Sequence, residues 1–567
     1  MRKNFESKEL STLFLQTGVK LAPRILSHQD RNYLSPTFGY FERKHWAWKT
    51  FPMADASNQY AVYYLCLLWS IEDAHNKYYH DPGVLEAILC GVERWVSLQK
   101  KDGSFDQVFP NEHSFGATAY TVLGIIEVYN TVYEFLSDDL KDKVAHAIKK
   151  AGTFLLDNDE EYAVISNHLA LFSLAFHKLW IFSRDKRFYN KSKKQLAIIV
   201  DNMSDEGWFV EYGGADPGYQ SQCLYYLAEL LQLNPEESVN SAVKKAVQNF
   251  MPYFIHPDGS IGGHYGSRNS TIFYPAGMAL LFDICPAAGG ILSSLTDGIR
   301  NKKSPAPSAL DFPNAVRLAT NYLRTWQILS LKKEYVASAN EYEMPCLRSP
   351  FIKEFPEAGL IVANTDTYYS VLSVHKGGGL KVYEKCSKRL VMDDRGYLAS
   401  FKGKVISTQT SSQNVYTRKG SQFYVKHPFR KVSLKEMTPL KYGVILFLGT
   451  FFFRWKVFRE LFKKVLVRYL ITYKNKQQGD CEKTINFERD HVTIEDRIFP
   501  AKGKSMDDLR AGLNYSTVHM ASANFYDDCL AGENMLHIEK VAQGGLTIIR
   551  RLSFPFKTPV TWHVSEC

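Results

Sequence analysis

The chain has 567 residues and a mass of 64.9 kDa, which leaves room for more than one domain. Hydrophobic residues make up 45% of it and aromatic residues 14%, an ordinary composition for a globular protein with a slight excess of aromatic side chains. The net charge of +10 favours an acidic substrate or a polyanionic surface, but no long basic tract singles out nucleic acid as the partner.

Several classes of protein are excluded by the motifs that the sequence lacks. The nine cysteines are widely spaced and form no CxxC pair, so neither a disulfide framework nor a thiolate zinc site is predicted. No GxxxxGK[ST] loop is present, so nucleotide binding is not expected. Residues 1–18 lack a continuous apolar core and a small-residue cleavage site, so no secretory signal is predicted and we expect a cytoplasmic protein.

A short lead-in precedes a regular repeat. Residues up to about Leu34 are predicted to be helical, and the aromatic stretch FGYFERKHWAWKTFPMADAS, from Phe38, would cap the repeat or line its mouth. Apolar, helix-like runs then begin at intervals of 44 to 55 residues, and such a period is typical of stacked supersecondary units. The predicted helix starts are Gln59, Ser114, Ser166, Gly218, Ser270 and Asn314.

Each unit of the repeat holds two helical patterns, for example VLEAILCGVERWVSLQ from Val84 and SFGATAYTVLGIIEVY from Ser114. Six such hairpins over residues 1–335 predict an (α/α)6 toroid of inner and outer helices. The most apolar runs would be the inner helices, since both of their sides are covered. Their N-termini would then face one mouth of the ring, where unpaired N–H groups and helix dipoles favour an anionic ligand.

The periodicity changes after residues 336–358, which have the composition of a linker. Residues 359–567 contain runs that alternate apolar and polar side chains, such as GLIVANTDTYYSVLSVHKGG from Gly359 and TINFERDHVTIEDRIFP from Thr484. Short strands separated by turn residues predict an antiparallel β-sandwich. The predicted fold class is therefore α+β, with an N-terminal toroid followed by a C-terminal sandwich.

One segment, near residues 442–474, fits neither domain. Its continuous apolar part, from Val444 to Phe453, is too short to cross a bilayer, and the remainder alternates Arg or Lys with Phe, Leu and Val at helical spacing. Two interpretations are open. The segment is either an inserted hairpin or strand pair that covers part of the sandwich, or a basic amphipathic helix that makes peripheral contact with an anionic membrane.

Polar residues in the loops before the inner helices are the candidates for a functional site. Asn167 and His168 form a polar pair at the start of an otherwise apolar helix, and Tyr219 follows a Pro-Gly turn. Structural roles are open for them as well: Asn167 as an N-cap with His168 as its neighbour, and Tyr219 with its hydroxyl on a carbonyl group. The same set of loops holds His113, Tyr212, His264, Tyr265 and Arg268.

These residues and their order resemble a known group of enzymes. The SNH motif at residues 166–168, the loop with Tyr219 one repeat later, and a helical ring before a β-rich half are similar to the heparinase II/III-like and alginate-type polysaccharide lyases. Dermatan sulfate epimerase is similar in layout. The resemblance implies that Asn167, His168 and Tyr219 act on a uronic acid.

The second half of the chain also resembles that group. GLIVANTDTYYSVLSVHKGGG and VMDDRGYLASFKG are similar to the first sandwich strands of the family, which implies a binding role for His375 and functional positions at Asp393 or Asp394 with Tyr397. The family often carries a His-rich, Asp-containing stretch where this chain has His-Lys-Gly-Gly-Gly. A structural divalent metal is therefore left open, and no cofactor is predicted.

The predicted reaction is the cleavage of a uronate-containing polysaccharide by β-elimination. Removing the proton at carbon 5 requires neutralisation of the neighbouring carboxylate, for which Asn167, His168 and Arg268 are suited. Tyr219 is the predicted acid for the departing oxygen at carbon 4 and a candidate for both proton-transfer roles. His168 or His264 is the predicted base when the carbon 5 proton lies on the other face of the sugar. The residues predicted to bind substrate are His113, Tyr212, Tyr265, Arg268 and His375.

Alternatives from other classes remain at this point. A uronyl C5-epimerase of cell-surface polysaccharide biosynthesis would share the proton abstraction but leave the chain intact. A glycoside hydrolase would need two carboxylates flanking a cleft, for which Glu211 and Asp216 are available in one loop. A non-catalytic relative would only bind the glycan. In each case the expected partner is an acidic polysaccharide or oligosaccharide and not nucleic acid.

Overall fold

The computed structural model describes residues 7–159, 164–332, 342–409, 415–432, 436–467, 477–511, 536–556 and 560–566. Helices occupy the first part of the chain and antiparallel strands the second, so the predicted α+β layout is confirmed. The helices of the first part are α1 (Ser7–Val19), α2 (Ala22–His28), α3 (Arg43–Trp46), α4 (Ala61–Ser70), α5 (Pro82–Leu98), α6 (Phe115–Thr131), α7 (Asp138–Asp157), α8 (Ser166–Ser183), α9 (Lys186–Asp201), α10 (Pro217–Leu233), α11 (Glu237–Lys245), α12 (Pro275–Leu281), α13 (Pro286–Arg300) and α14 (Phe312–Ser330).

Six of these helices form an inner circuit. Helix α4 contacts α6, which contacts α8, and the sequence continues through α10, α12 and α14 until α14 returns to α4. Their side chains are almost all buried because each lies between two neighbours and an outer helix. The outer helices α5, α7, α9, α11 and α13 follow the inner ones in the chain, and α1 packs on α14.

The outer helices carry the amphipathic pattern of a surface helix. In α7, Ser137 caps the N-terminus by accepting a hydrogen bond from Leu140 N, and two aspartates occupy the first turn. Val144, Ala147, Ile148, Ala151 and Leu155, spaced by three or four residues, face the inner helices and are buried. Helical periodicity therefore determines which face of this helix is covered.

The inner helices begin close to the predicted positions, with one exception. The segment from Ser270 to Tyr274 is not helical, and α12 begins only at Pro275. Ser270 N donates to Asp216 Oδ2 and Tyr274 N donates to Ser221 Oγ, so this segment is held against α10 in an extended conformation. Tertiary hydrogen bonds outweigh local helix propensity here.

The strands form two antiparallel sheets. The first has five strands in sequence order, and the second has the order β13-β12-β6-β7-β9-β10-β11-β14-β15 with β8 paired to β9. The strands are β1 (Phe351–Phe355), β2 (Leu360–Asn364), β3 (Tyr368–Ser373), β4 (Gly379–Glu384), β5 (Arg389–Asp394), β6 (Tyr397–Phe401), β7 (Lys404–Ser407), β8 (Tyr416–Lys419), β9 (Gln422–Lys431), β10 (Gln477–Phe487), β11 (His491–Pro500), β12 (Met506–Ala511), β13 (Leu536–Val541), β14 (Leu546–Ser553) and β15 (Thr561–Glu566).

The five-stranded sheet is the middle layer of the molecule. In β2, Leu360 and Val362 belong to the core shared with the helices, whereas Ile361 and Ala363 pack into the core shared with the second sheet. Every residue of β2, β3 and β4 is buried as a result. The period-two alternation of a strand thus joins both domains into continuous hydrophobic cores. Strand β1 lies inside the stretch predicted as a linker, where it pairs with β2.

The segment that fitted neither domain forms two helices, α15 (Pro439–Phe451) and α16 (Lys456–Val467), within the described residues. Residues 468–474 of the predicted insertion lie outside those residues. The helical pair contacts the first domain: Asn111 Nδ2 donates to Gly449 O at 2.9 Å, and the Phe109 ring lies 5.1 Å from that of Phe453. Over the described ranges, the structure contains no helix long and apolar enough to cross a membrane.

Candidate functional site

A cavity of about 260 Å³ opens where the N-terminal ends of the six inner helices meet. The prediction that these ends converge at one mouth is consistent with its lining, since each inner helix or the loop before it contributes. Four predicted site residues line this cavity: Asn167, His168, Tyr219 and Arg268. The other lining residues are Ser57, Gln107, Gly116, Ala117, Tyr120, Leu171, Phe172, Gly218, Gln222, Tyr226, Ser270, Ile272, Tyr274, Asn314 and Arg317.

Asn167 and His168 occupy the first turn of α8. The N-cap of this helix is Ile165, so Asn167 is not the capping residue. Instead, Ser166 N and Oγ both donate to Val210 O, at 3.0 and 2.8 Å, which fixes the start of α8 to the next loop. His168 is half-buried and lines the cavity.

The Asn167 amide is the end of a short polar chain. Its Nδ2 donates to Gln222 Oε1 at 3.1 Å, and Gln222 Nε2 donates to the Tyr226 hydroxyl at 3.3 Å. The Asn167 Oδ1 is buried without a hydrogen-bond donor among the described residues. Reversing both amides preserves both hydrogen bonds, with Tyr226 as the donor, and leaves Nδ2 of Asn167 unpaired instead. This chain can thus offer a ligand either an acceptor or a donor.

Tyr219 is presented by the N-terminus of α10. Asp216 caps this helix by accepting a hydrogen bond from Tyr219 N at 3.0 Å, and Pro217 occupies the first helical position. A Cβ atom at Gly218 would lie 2.6 Å from Ser270 Oγ, so only glycine permits this close approach of α10 to the following loop. Local sequence and packing together place the Tyr219 side chain at the cavity.

Asp216 also holds the loop that carries Arg268. Its Oδ2 accepts hydrogen bonds from Arg268 N at 2.9 Å and Ser270 N at 3.2 Å. Burial raises the pKa of the Asp216 carboxyl, whereas the backbone N–H donors favour its charged form. A single buried carboxylate therefore fixes Tyr219 and Arg268 relative to each other.

The Arg268 guanidinium lies between two tyrosine rings. Its Cζ is 3.8 Å from the centroid of Tyr219 and 4.8 Å from that of Tyr212, both within the range of cation–π attraction. An ion pair with Glu211 completes its surroundings. Burial raises the pKa of Glu211, although Arg268 acts in the opposite direction. Tyr212 thus supports Arg268 without lining the cavity.

A second arginine, which sequence reasoning missed, lies across the cavity wall on α14. The Arg317 Cζ is 4.5 Å from the Tyr120 ring centroid, and no ion pair or hydrogen bond joins its guanidinium to a described residue. The sequence did contain an indication of Arg317: a charged residue lies three positions after Asn314, within an otherwise apolar inner helix. Gln222, three residues after Tyr219, carried the same signal.

The charge of the cavity lining has one sign. Two arginines, Arg268 and Arg317, carry this positive charge, and none of the described lining residues is Asp or Glu. The two loop carboxylates considered for hydrolysis are buried: Glu211 pairs with Arg268, and Asp216 caps α10. The helix N-termini around the cavity add partial positive charge. This environment favours an anionic ligand and lacks the pair of flanking carboxylates that hydrolysis requires.

Besides Tyr212, four predicted site residues lie outside this cavity, and His113 and His264 belong to the loops beside it. His113 Nδ1 is 2.5 Å from Asp102 Oδ2 and 2.8 Å from Ser104 Oγ, so it secures the turn before α6. His264 is buried, with Nδ1 2.8 Å from Asp393 Oδ1 of β5, and burial lowers its pKa despite that carboxylate. The structure thus separates His264 from the residues that line the cavity.

Tyr265 and His375 are the other two. Tyr265 lies at the junction between the domains, and His375 follows β3 in the strand domain. A 2.8 Å hydrogen bond joins the Tyr265 hydroxyl to His256 Nε2, and the His256 ring stacks on Tyr383 of β4 at 4.6 Å. His375 packs against Gly359, where an added Cβ would lie 2.2 Å from the imidazole Cγ. Tyr265 is therefore part of the packing between helices and strands, whereas His375 packs within the strand domain.

The acidic residues implied by the resemblance lie in buried ion pairs of the sandwich. Asp393 pairs with Arg395 as well as His264, and Asp394 pairs with Lys483 and Arg550. The Tyr397 hydroxyl donates to Asp496 at 2.7 Å in the same network. Within the ranges that the structure describes, no group of three or more His, Cys, Asp or Glu side chains is arranged to hold a metal ion.

Comparisons with known proteins agree with this description. Residues 60–274 match the model of the Ulvan lyase N-terminal domain family, a stretch that contains Asn167, His168, Tyr219 and Arg268. No curated protein matches the chain. The resemblance to polysaccharide lyases of the heparinase-like type, first seen in the sequence, is confirmed by the family match and the fold.

The similar solved structures extend over both domains. The chondroitin AC lyase of Streptomyces coelicolor A3, in complex with chondroitin sulphate, has a TM-score of 0.57 at 11% identity and covers 88% of this chain and 67% of its own. A tyrosine-to-alanine variant of that lyase has a TM-score of 0.52 at 11% identity, covering 98% and 78%. Heparinase III has a TM-score of 0.50 at 8% identity, covering 90% and 82%. At such identities the similarity concerns the fold.

Proposed function

We propose that this chain, with the fold of heparinase-like polysaccharide lyases, cleaves a uronate-containing acidic polysaccharide by β-elimination. One observation carries the proposal: a cavity lined by no carboxylate of the described residues brings together Asn167, His168, Tyr219 and Arg268. These residues supply carboxylate recognition and proton transfer, the two requirements of the reaction. A hydrolase would need acidic groups at the same place.

The first step is neutralisation of the uronate carboxylate. The proton at carbon 5 becomes acidic only when negative charge that develops on the carboxylate as an enolate forms is stabilised. Arg268 and Arg317 provide positive charge in the lining, and the reversible Asn167–Gln222–Tyr226 chain provides an amide donor. The N-terminal turn of α8 contributes its dipole at the same place.

The second step is proton transfer. Tyr219 is the acid that protonates the oxygen leaving carbon 4, and His168 or Tyr219 takes the carbon 5 proton, according to the face of the sugar on which that proton lies. Electrons from the broken C–H bond form the carbon 4–carbon 5 double bond, and the bond from carbon 4 to oxygen breaks. Arg268, stacked on the Tyr219 ring, stabilises the phenolate that Tyr219 becomes.

The proposal is tested by incubating the purified chain with a panel of uronate polysaccharides, sulfated and unsulfated. We expect at least one to yield an unsaturated product that absorbs in the near ultraviolet. The same reactions run in deuterium oxide separate the alternatives. Deuterium at carbon 5 without an unsaturated product would assign the chain as an epimerase, and glycan binding without either change would assign it as a non-catalytic relative.

A further inference from the structure

A helical hairpin formed by α15 and α16 projects from the strand domain onto the helical domain. Over its described residues, 439–467, it is fixed on one side by close contacts. A Cβ at Gly449 would lie 2.9 Å from Pro110 O, and Phe109 contacts both Phe453 and Phe462, with ring centroids 5.1 and 5.4 Å apart. One face of the hairpin is therefore packed against the helical domain, and these contacts leave its other face uncovered.

The uncovered face is strongly apolar. Of the 29 large hydrophobic side chains exposed in the described part of the chain, 11 lie between Met437 and Val465. A scattered exposed leucine needs no explanation, but so many within one short segment mark an interaction surface. The exposed side chains in the segment are Met437, Leu440, Val444, Phe447, Phe451, Phe452, Trp455, Val457, Phe458, Leu461 and Val465.

These side chains form continuous stripes along the helices. Leu440, Val444, Phe447 and Phe451 are spaced by four, three and four residues, so they share one face of α15, opposite the buried Gly449. Val457, Leu461 and Val465 form the corresponding stripe on α16.

An aromatic cluster forms the turn between the helices. Phe452 lies 6.2 Å from Trp455 and 6.0 Å from Phe458, measured between ring centroids, and Phe447 lies 5.9 Å from Phe452. Trp455 is 59% exposed, which is unusual for the largest apolar side chain. Aromatic side chains of this kind are enriched where a protein meets the interface between lipid and water.

The charge of the hairpin specifies the partner. Residues 439–467 contain six Lys or Arg and a single acidic residue, Glu460. Lys441, Arg454 and Lys464 are exposed beside the apolar stripes, whereas Lys456 Nζ donates to Asn158 Oδ1 of the helical domain at 2.9 Å. Two copies of so basic a surface would repel each other, whereas an anionic lipid surface would attract it and accept the apolar stripes.

We propose that this hairpin docks the protein on the surface of a bilayer that contains anionic lipids. The stripes of α15 and α16 enter the boundary between headgroups and acyl chains, and the exposed basic side chains contact the headgroups. The loop that holds the hairpin through Phe109 also contributes Gln107 to the cavity lining. Docking would therefore place the proposed lyase site beside the membrane surface, although the docking itself does not depend on that activity.

Co-sedimentation of the full chain with vesicles tests the proposal. We expect binding to phosphatidylcholine vesicles containing phosphatidylglycerol to exceed binding to pure phosphatidylcholine by at least roughly tenfold, and to weaken with salt. The double variant Trp455→Ala/Phe458→Ala should lower the partition coefficient by roughly tenfold, since half-exposed rings contribute less than fully buried ones. Tyr33→Ala/Leu34→Ala, at two highly exposed apolar positions elsewhere, is the matched control and should change it less than twofold.

A charge variant gives a second, independent measurement. Lys441→Glu/Lys464→Glu should weaken binding to the anionic vesicles by at least about fivefold for each lysine, with little effect on neutral vesicles. Lys101→Glu/Lys186→Glu, at exposed lysines outside the hairpin, controls for net charge. Absence of vesicle binding by the unmodified chain would overturn the proposal. Salt-sensitive binding that the double variant Trp455→Ala/Phe458→Ala leaves unchanged would also overturn it, since such binding indicates recognition of a soluble polyanion. Self-association that this double variant abolishes would overturn it as well, because the partner would then be a second copy of the chain.

Discussion

Two loops that resemble each other in sequence have different roles in the structure. Each begins with an Asp-x-Gly or Asp-Gly turn, at Asp205 and Asp258, and each leads through glycines to an inner helix. The first loop delivers Tyr219 to the cavity at the start of α10. The second buries His264 and Tyr265 against the five-stranded sheet, so that Arg268 is the one predicted site residue of this loop that lines the cavity.

The difference arises from what covers each loop. The second loop meets β4, β5 and the turn between β3 and β4, where Lys376 Nζ donates to Gly266 O at 2.6 Å and to Asn269 Oδ1. Those contacts pull the polar residues of the second loop away from the ring. Equivalent positions in a repeat therefore predict where a loop lies, whereas the neighbouring domain determines which of its side chains reach the site.

The strongest test of this comparison removes the hydroxyl group of the tyrosine in the first loop. We expect Tyr219→Phe to lower kcat on the cleaved polysaccharide by about a thousandfold, because the proposed acid is removed while the ring still stacks on Arg268. Thermal unfolding of the variant should be nearly unchanged. Retention of more than a tenth of the activity would remove Tyr219 from the mechanism.

The next largest loss of activity is expected from a substitution of Arg317. Arg317→Gln should lower kcat/KM by about 10- to 100-fold, chiefly through KM, because its guanidinium lines the cavity and forms no salt bridge with a described residue. The Asp55 carboxylate acts on it only through longer-range attraction. Arg324→Gln, on the same helix, is the control: Arg324 pairs with Glu229 and does not line the cavity, so it should affect stability instead. An equal loss of kcat/KM in both variants would contradict a binding role for Arg317.

The sequence was sufficient for the architecture and for part of the site. Apolar runs at a constant period predict the inner helices, and polar residues at their starts identify Asn167, His168 and Tyr219, because a helix N-terminus fixes where its first side chains lie. Arg317 and Gln222 lie one turn further in, where a polar residue within an apolar helix was the available signal. The positions of His264 and Tyr265, which are buried, and of His375, which is half-buried, were not predictable, because residues distant in the chain, Asp393, Tyr383 and Gly359, form their surroundings.

The buried Lys376, through which the strand domain contacts the second loop, should make the free energy of unfolding depend on pH. Burial lowers the pKa of its ammonium group from 10.5 to about 7 in the folded protein, so between these values the unfolded chain binds more protons than the native state. Stability attributable to Lys376 must therefore rise with pH across that window. Relative to Lys376→Met, the free energy of unfolding should increase by about 1.4 kcal/mol per pH unit from pH 7 to 10.5 and stay constant below it. A difference that does not change with pH would show that Lys376 is not buried as described.

The smallest effect is expected at Tyr265, the aromatic residue of the second loop. Tyr265→Phe removes the hydrogen bond to His256 Nε2 within the packed junction, where the imidazole has no access to water. The free energy of unfolding should fall by roughly 1–3 kcal/mol, the cost of leaving one buried polar atom unpaired. Turnover per folded molecule should stay within about twofold, because the ring that packs beside Phe254 is kept. The same chemical change thus costs activity in one loop and stability in the other. A Tyr265 variant that folds normally but loses turnover would instead place Tyr265 in the site.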